Sequence, residues 1–273
     1  MHPDLARYLR QQVELGGEEA YIEKEPMASK RMEFPLQTQA PTVVEAVIRE
    51  TGPAADVAMP KWRKDAPPIP GPGLQIIPPA PSLLGDGVSG LESLAAVATM
   101  ISGCTRCVLC QTRTNTVPGE GNPTARLMCI GEGPGATEDE KGRPFVGAAG
   151  QLLDQILAAI ECPRESVFIA NIVKCRPPQN RKPLPDEATN CLPYLHRQIA
   201  LVRPKVLIAL GSTAAEWLLN TKQSLGNLRG KVHRYGDIPL VVTYHPAALL
   251  RNPNWKKPTW DDVRIARQLL DQG

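Results

Sequence analysis

The sequence lacks any apolar run approaching the roughly 18 to 20 residues that a helix needs to cross a bilayer. It also lacks an N-terminal apolar segment of the signal-peptide type, and it contains no internal repeat. These absences argue against a membrane-spanning, secreted or repeat protein. We therefore expect an intracellular, cytoplasmic chain with no membrane partner.

A strong charge of either sign is also missing. The formal net charge is +3 at pH 7. Residues 91–273 carry 22 Lys and Arg against 16 Asp and Glu, whereas residues 1–90 carry 9 against 12. A moderately basic C-terminal part suits a polyanionic partner. An excess of this size is equally typical of an ordinary solvated surface.

Residues 1–90 show too little apolar periodicity to form a core, and prolines recur between residues 53 and 81. Proline removes amide donors and fixes φ, which favours an extended, solvated segment. We predict an N-terminal extension over 1–90, a short helix followed by a Pro-rich and largely disordered linker. The folded domain is predicted to span 91–273. The basic cluster at 61–64 suits contact with DNA or a partner protein, but we favour a tether without a partner.

Four apolar runs alternate with helical patterns in the second part of the chain. The runs cover residues 127–130, 167–170, 206–210 and 240–244, and the helical patterns cover 148–160, 185–200, 213–220 and 260–270. Continuous apolar strands separated by helices indicate a parallel sheet covered on both faces. We predict an α/β fold, three αβα layers around a central, mainly parallel four-stranded sheet.

Residues suited to ligand binding stand where these strands end. Glu132 and Gly133 follow the first strand in a glycine-rich turn, Asn171 ends the second, and His245 follows the last. Because ligands bind outside the carboxyl ends of such strands, we expect these residues to converge. Glycine lets backbone approach a ligand closely, and Phe145, in a second glycine-rich turn, offers a flat apolar face.

Seven cysteines form a second set of candidate residues, and in a reducing compartment thiols or metal ligands are more common than disulfides. Cys104 and Cys107 form a close pair, and Cys175 and Cys191 lie sixteen positions apart. Four thiolates suit either a tetrahedral zinc ion or an iron–sulfur cluster, and spacing does not choose between them. Cys110 extends the first pair to a run of three.

Three motifs in this region resemble those of a known family. GEGPGATEDEKGRPFVG begins at residue 131, NIVKCRPP at 171 and YHPAALLRNP at 244. Over roughly residues 104–270 the chain resembles the family 4 uracil-DNA glycosylases, which carry an iron–sulfur cluster. The resemblance implies a base excision repair enzyme that hydrolyses the N-glycosidic bond of uracil in single- or double-stranded DNA and leaves an abasic site. It implies a monomer associated with the nucleoid.

The resemblance also assigns the metal ligands. It implies a 4Fe-4S cluster held by Cys104, Cys107, Cys175 and Cys191, with zinc as the alternative, and leaves the other three cysteines outside the ligand set. Such a cluster would tie the segment that enters the domain to the loop after Asn171.

Roles in the uracil pocket follow from the same resemblance. His245 matches the catalytic donor to the departing uracil, and Asn171 matches the amide that pairs with uracil N3–H and O4. Phe145 matches the ring that stacks on the base, and Glu138 matches the position that closes the pocket beside uracil C5.

The water activator is the weakest match. Related glycosylases often carry Asp or Asn where this chain has Gly133, which we place among the substrate-binding residues. Glu132 is the nearest carboxylate and the second predicted catalytic residue. It either orients the water or braces the loop, and both interpretations stay open.

DNA contacts are expected from the loop 176–182 and from residues 247–251. Arg176 and Arg251 would bind phosphate, and Leu249 would enter the base stack as a wedge, with Leu250 the next choice. Packing of both leucines in a helix is the competing interpretation. A trapping subgroup carries a histidine in a basic insertion after the asparagine strand. Residues 175–191 contain no histidine, which favours ordinary turnover.

The alternative function is a non-catalytic nucleic-acid-binding relative stabilised by zinc or a cluster. Such a protein would share the cysteines and the basic surface. It would have no need for Phe145, Asn171 and His245 at the strand ends.

Overall fold

The computed structural model describes residues 59–78 and 87–272, all of which belong to one compact unit, 56–273. The predicted N-terminal helix lies outside the described residues, and so does the predicted extension apart from residues 59–78 and 87–90. No helix in the described part of the chain has the length and apolar character needed to cross a membrane.

Within the described residues, seven strands form one mixed sheet. They are β1 (Pro72–Ile76), β2 (Glu120–Gly121), β3 (Leu127–Gly131), β4 (Phe168–Asn171), β5 (Val206–Leu210), β6 (Val232–Tyr235) and β7 (Ile238–Thr243). Their order across the sheet is β1-β6-β7-β5-β3-β4-β2. The central strands β7, β5, β3 and β4 are parallel to one another and coincide with the four predicted apolar runs.

The predicted number of four strands was too low. β2 pairs antiparallel with β4, β6 pairs antiparallel with β7, and β1 adds in parallel beside β6. Of these added strands, β1 and β2 form the two edges of the sheet and contain no fully buried residue, and β6 lies between β1 and β7. Without continuous burial they have no apolar run, so the pattern that revealed the central strands did not reveal them.

Helices cover both faces of the sheet. They are α1 (Leu94–Ser102), α2 (Ala136–Lys141), α3 (Ala148–Ala159), α4 (Pro185–Val202), α5 (Ser212–Leu218), α6 (Leu225–Leu228), α7 (Pro246–Arg251) and α8 (Lys256–Gln272). Short 3₁₀ turns lie at Val108–Gln111, Arg164–Ser166, Pro178–Asn180 and Pro253–Trp255.

Alternate strand residues point to opposite faces and build two cores. On one face Met128 and Ile130 of β3 pack with buried residues of α1, α4 and α5. On the other face Leu127 and Cys129 pack with α3 and α8. The predicted three-layer αβα architecture is therefore confirmed.

The described part of the Pro-rich segment packs on the domain. Trp62 is 1% exposed, and its indole N–H donates to Glu161 at 3.2 Å. Arg264 of α8 donates to the carbonyls of Lys64 and Asp65, each at 3.0 Å. The expectation of a solvated linker does not hold for this stretch. Proline removes backbone donors but leaves carbonyls that side chains of α8 can bind.

This packing predicts a stabilising role for Trp62. Trp62→Ala should lower the free energy of unfolding by about 3 to 5 kcal/mol, because it removes a buried indole. A chain that begins at residue 59 keeps these contacts and should unfold like the full chain. Urea denaturation measures both, with the exposed neighbour substitution Lys61→Ala as the control. Equal midpoints for Trp62→Ala and Lys61→Ala would contradict the packing role.

Candidate active site

The carboxyl ends of the central strands meet at one cleft. Gly131 of β3 lies opposite Asn171 of β4, and Leu210 of β5 lies opposite Thr243 of β7. The turns that follow these strands surround a cleft of about 650 Å³. The residues predicted from the sequence that line it are Glu132, Gly133, Glu138, Phe145, Asn171, His245 and Arg251.

Gly131 leaves space in the cleft for the side chains of Asn171 and Phe145. A Cβ at this position would lie 2.4 Å from Oδ1 of Asn171 and 2.6 Å from Cζ of Phe145. Both distances are too short for a contact between a Cβ and a non-bonded atom, so only glycine lets this amide and this ring lie together. The Phe145 backbone has φ of 51°, a conformation uncommon for a side chain-bearing residue. Arg164 holds it by donating to the carbonyls of Pro144 at 2.6 Å and Phe145 at 3.0 Å.

Glu138 fastens the same loop. Its Oε1 accepts from the N–H groups of Val146 at 2.9 Å and Gly147 at 2.8 Å. These N–H groups stand where α3 begins, an end of the helix that favours a negative charge. Glu138 therefore lines the cleft and also holds the turn that carries Phe145.

Asn171 presents an unsatisfied acceptor. The residue is 2% exposed, and its Oδ1 has no hydrogen-bond partner within the described residues. A buried acceptor left unpaired costs about 1 to 3 kcal/mol. A ligand N–H that reaches this oxygen from the cleft removes that cost, so the amide is suited to ligand recognition.

Lys174, which the sequence reasoning missed, supports Asn171 from behind. It is 1% exposed, and its Nζ donates to the carbonyl of Asn171 at 2.9 Å and to Oε1 of Gln198 at 2.7 Å. Burial lowers the pKa of Lys174 to about 8. Its backbone N–H donates to Sγ of Cys191 at 3.2 Å. Lys174 thus joins the end of β4, helix α4 and the cysteine site. Its position inside the NIVKC motif was the signal in the sequence that could have identified it.

His245 begins α7 and is held in one tautomer. Its Nδ1 accepts from the N–H of Ala247 at 3.2 Å. Burial, and then the nearby Arg251, lower the pKa of His245 to about 4. A neutral imidazole that accepts at Nδ1 carries its proton on Nε2. The ring lies 5.4 Å from the Phe145 ring and can offer this Nε2–H to a ligand in the cleft.

The Glu132 carboxylate is engaged by a neighbouring helix. Its Oε2 accepts from the hydroxyl of Thr213 on α5 at 2.5 Å. This contact braces the glycine-rich turn after β3. Gly133 lines the cleft with no side chain, and a Cβ there would lie 2.7 Å from Val173 Cγ2.

The two leucines considered as the wedge differ in exposure. Leu249 is 1% exposed on the side of α7 that packs against α3, whereas Leu250 is 50% exposed. A leucine in the core cannot enter a base stack without leaving that core. Adjacent residues differ by about 100° around a helix, and the sequence alone did not fix the rotation of α7.

Basic residues occupy the rim of the cleft. Arg251 and Arg181 line it. Arg176 does not line it but donates to Oδ1 of Asn180, which does, at 2.8 Å. Arg181, which the sequence reasoning did not single out, forms a two-pronged pair with the carboxylate of Glu187, at 2.6 and 2.8 Å.

The cysteines gather at a separate, small cavity. Its lining includes Cys104, Cys107, Cys110, Cys175 and Cys191. The described residues contain no group of three or more Cys, His, Asp or Glu arranged around one metal ion.

Two of these sulfurs already have hydrogen-bond donors. Arg113 donates to Sγ of Cys175 at 3.2 Å, and the N–H of Lys174 donates to Cys191. Burial raises the pKa of the Cys191 thiol to about 12, so this thiol ionises only when a cation compensates it. Hydrogen bonds to sulfur are a feature of iron–sulfur sites, and five cysteines that line one cavity fit such a cluster in their chemistry.

The crowding at Gly131 predicts a specific loss. Gly131→Ala should displace Asn171 and Phe145 and weaken binding of uracil, the base implied by the motifs, by at least about tenfold. Calorimetric titration with uracil measures this affinity. Gly226→Ala is the control, because a Cβ at that position meets nothing within 4 Å. Equal affinities in the two variants would contradict the steric role.

The environment of His245 predicts its titration. Nuclear magnetic resonance should show the ring protonating near pH 4 instead of about 6.5, with the proton on Nε2 above that pH. Because the unfolded state binds this proton first, the stability from neutral His245 is complete above about pH 6.5 and declines towards pH 4. His245→Gln assigns the signal. A midpoint near 6.5 would contradict the buried neutral ring.

Comparison with known proteins identifies the family. Residues 118–266 match the Uracil DNA glycosylase superfamily. The chain is 45% identical over 188 residues to the Type-4 uracil-DNA glycosylase of Sulfurisphaera tokodaii, an alignment covering 66% of this chain and 86% of that protein. It is 44% identical over 183 residues to the Type-4 uracil-DNA glycosylase of Thermotoga maritima, covering 66% and 95%. The chain therefore belongs to the uracil-DNA glycosylase superfamily, in its type-4 family.

Proposed function

We propose that this protein excises uracil from DNA. It hydrolyses the N-glycosidic bond between uracil and deoxyribose and leaves an abasic site, the opening step of base excision repair. The observation that carries the proposal is the buried Oδ1 of Asn171, which has no partner in the described part of the chain and lies in a cleft shared with Phe145 and His245. The relatives named Type-4 uracil-DNA glycosylase support it.

Recognition requires the base to leave the DNA stack, at a cost of a few kcal/mol. Asn171 Oδ1 would accept from uracil N3–H, and its amide would donate to O4. Cytosine has no proton on N3 and an amino group at C4, so it would leave both partners mismatched in a buried site. Phe145 would stack on the ring, and Glu138 would close the pocket beside C5 while holding the Phe145 turn.

Bond cleavage places negative charge on uracil. His245 would donate its Nε2–H to uracil O2, where that charge develops. Its ring is already oriented, because Nδ1 accepts from the Ala247 N–H and the ring needs no protonation to act as a donor. A preorganised donor of this kind contributes about 3 to 4 kcal/mol to the transition state.

Glu132 would position the attacking water. The hydrogen bond from Thr213 holds the carboxylate at the turn after β3. Gly133, which leaves no side chain beside it, would contact uracil through its backbone. Because His245 stabilises the leaving group, the water needs orientation more than a strong base.

DNA would be held at the rim of the cleft. Arg251 and Arg176 would contact phosphates without reading sequence. We assign the wedge to Leu250, since Leu249 lies in the core. We further propose that the protein works as a cytoplasmic, nucleoid-associated monomer on single- or double-stranded DNA.

Cys104, Cys107, Cys175 and Cys191 would hold a 4Fe-4S cluster. When bound, the cluster supplies a covalent cross-link between the segment before β2 and the loop after β4. Lys174 lies in that loop and donates to the Asn171 carbonyl. Lys174 would therefore join the cluster to the uracil-binding residue, because its Nζ donates to the Asn171 carbonyl and its backbone N–H donates to Sγ of Cys191.

A pair of substitutions tests the function. Asn171→Asp should lower single-turnover uracil excision sharply and permit weak attack on cytosine, whereas His245→Ala should slow the chemical step by about 10² to 10³ with less effect on binding. Alkaline cleavage of a uracil-containing strand incubated in EDTA reports the abasic product. Asn227→Asp, on an exposed side chain of α6, is the matched control. A parental protein that releases no uracil would favour a non-catalytic nucleic-acid-binding relative.

The cluster has its own test. Anaerobically purified protein should be brown, with broad absorbance near about 400 nm and about four irons per chain. Cys175→Ala should lose iron and soluble yield, whereas Cys162→Ala, in the core on the other face of the sheet, should keep both. Colourless protein with stoichiometric zinc would refute the cluster.

A further inference from the structure

A stacked aromatic pair lies in the cleft beyond the residues assigned to uracil. The rings of Tyr244 and Trp255 are 4.7 Å apart between centroids and 3° from parallel. Both side chains line the cleft, and both are partly exposed. Neither has a role in the reaction described above.

The pair is placed next to the uracil site by the chain itself. Tyr244 directly precedes His245, and Trp255 follows α7, whose residues Ala247 and Ala248 also line the cleft. The six residues of α7 extend about 9 Å. This short helix therefore connects the predicted uracil donor to the aromatic pair along one continuous cleft.

A hydrogen-bonded arginine packs on the Tyr244 ring. The guanidinium of Arg229 lies 4.4 Å from the Tyr244 ring centroid. Arg229 is itself fixed, because it donates to Oδ2 of Asp262 at 2.7 Å and to the carbonyl of Pro258 at 2.8 Å. Asp262 also accepts from the Thr243 hydroxyl at the end of β7. Through Arg229 and Asp262, the Tyr244 ring is thus connected to the sheet and to α8.

Exposed basic residues lie close to Trp255 in the sequence. Arg251 also lines the cleft with Trp255, whereas Lys256 lines the separate cavity beside Trp260. Arg251, Lys256 and Lys257 are exposed, and none of them forms a salt bridge within residues 59–78 and 87–272. Proteins hold single-stranded nucleic acid with exposed cations, which bind phosphate, and with aromatic rings, which stack on bases.

We propose that Tyr244 and Trp255 form a second nucleobase subsite, on which the base adjacent to the extruded uracil stacks. This inference rests on the proposed uracil excision and extends it to the neighbouring nucleotide. Stacking tolerates every base, because each has a π-face, so the subsite adds affinity without sequence preference. It favours single strands, in which the neighbouring base has no partner to leave.

Binding of a short single strand tests the subsite. The probe carries one 2′-fluoro-deoxyuridine, which resists hydrolysis, and a second version replaces the base on one side by an abasic unit. Removing the neighbouring base on one of the two sides should weaken binding to the parental protein by about tenfold. Trp255→Ala should bind the intact probe about tenfold more weakly than the parental protein does, and it should bind the abasic probe as tightly as the parental protein does. Trp255→Phe should retain most of the parental affinity for the intact probe.

Trp260→Ala is the matched control, because this tryptophan lies on α8 and lines a separate cavity. Its effect should be independent of the neighbouring base. Additive losses for Trp255→Ala and the abasic unit, or no loss from abasic units on either side, would overturn the subsite. If the parental protein binds the fluorouridine probe no more tightly than a thymidine probe, the proposed uracil specificity itself fails.

Discussion

The structure depends on the parallel register of β3 and β4, which sets Gly131 opposite Asn171. This pairing brings a backbone without a side chain next to a buried amide and leaves space for the Phe145 ring. Strands of a parallel sheet end at the same edge, so the turns after β5 and β7 open onto the same space. A one-residue slip of β4 would turn Asn171 to the opposite face of the sheet and dismantle the pocket.

The loops around the cleft are held mainly by charged side chains that bind backbone. Glu138 accepts from two N–H groups at the start of α3, and Arg164 donates to two carbonyls of the loop that precedes α3. Lys174 donates to the Asn171 carbonyl. Irregular loops have few backbone partners of their own, so these contacts supply what a helix or strand would supply internally. The pocket is therefore shaped before any ligand arrives, which is what catalysis by a preorganised donor requires.

The two groups proposed to act on uracil are both prepared for neutral, directional hydrogen bonding. Burial keeps His245 uncharged, and the Ala247 N–H selects the tautomer with a proton on Nε2. Asn171 Oδ1 is left without a partner in the described residues. The unpaired acceptor of Asn171 costs stability in the empty protein, and in the proposed complex the N3–H of a pyrimidine would remove that cost.

The sequence by itself determined the four central strands, the polar residues at their ends and the family, because buried parallel strands are continuous apolar runs and the motifs are contiguous. Only the tertiary structure revealed the edge strands, the packing of Trp62 and the supporting Lys174. It also placed Leu249 in the core and Leu250 at the surface, since the rotation of a short helix depends on what packs against it. Each of these features rests on contacts between residues far apart in the chain, which no local pattern records.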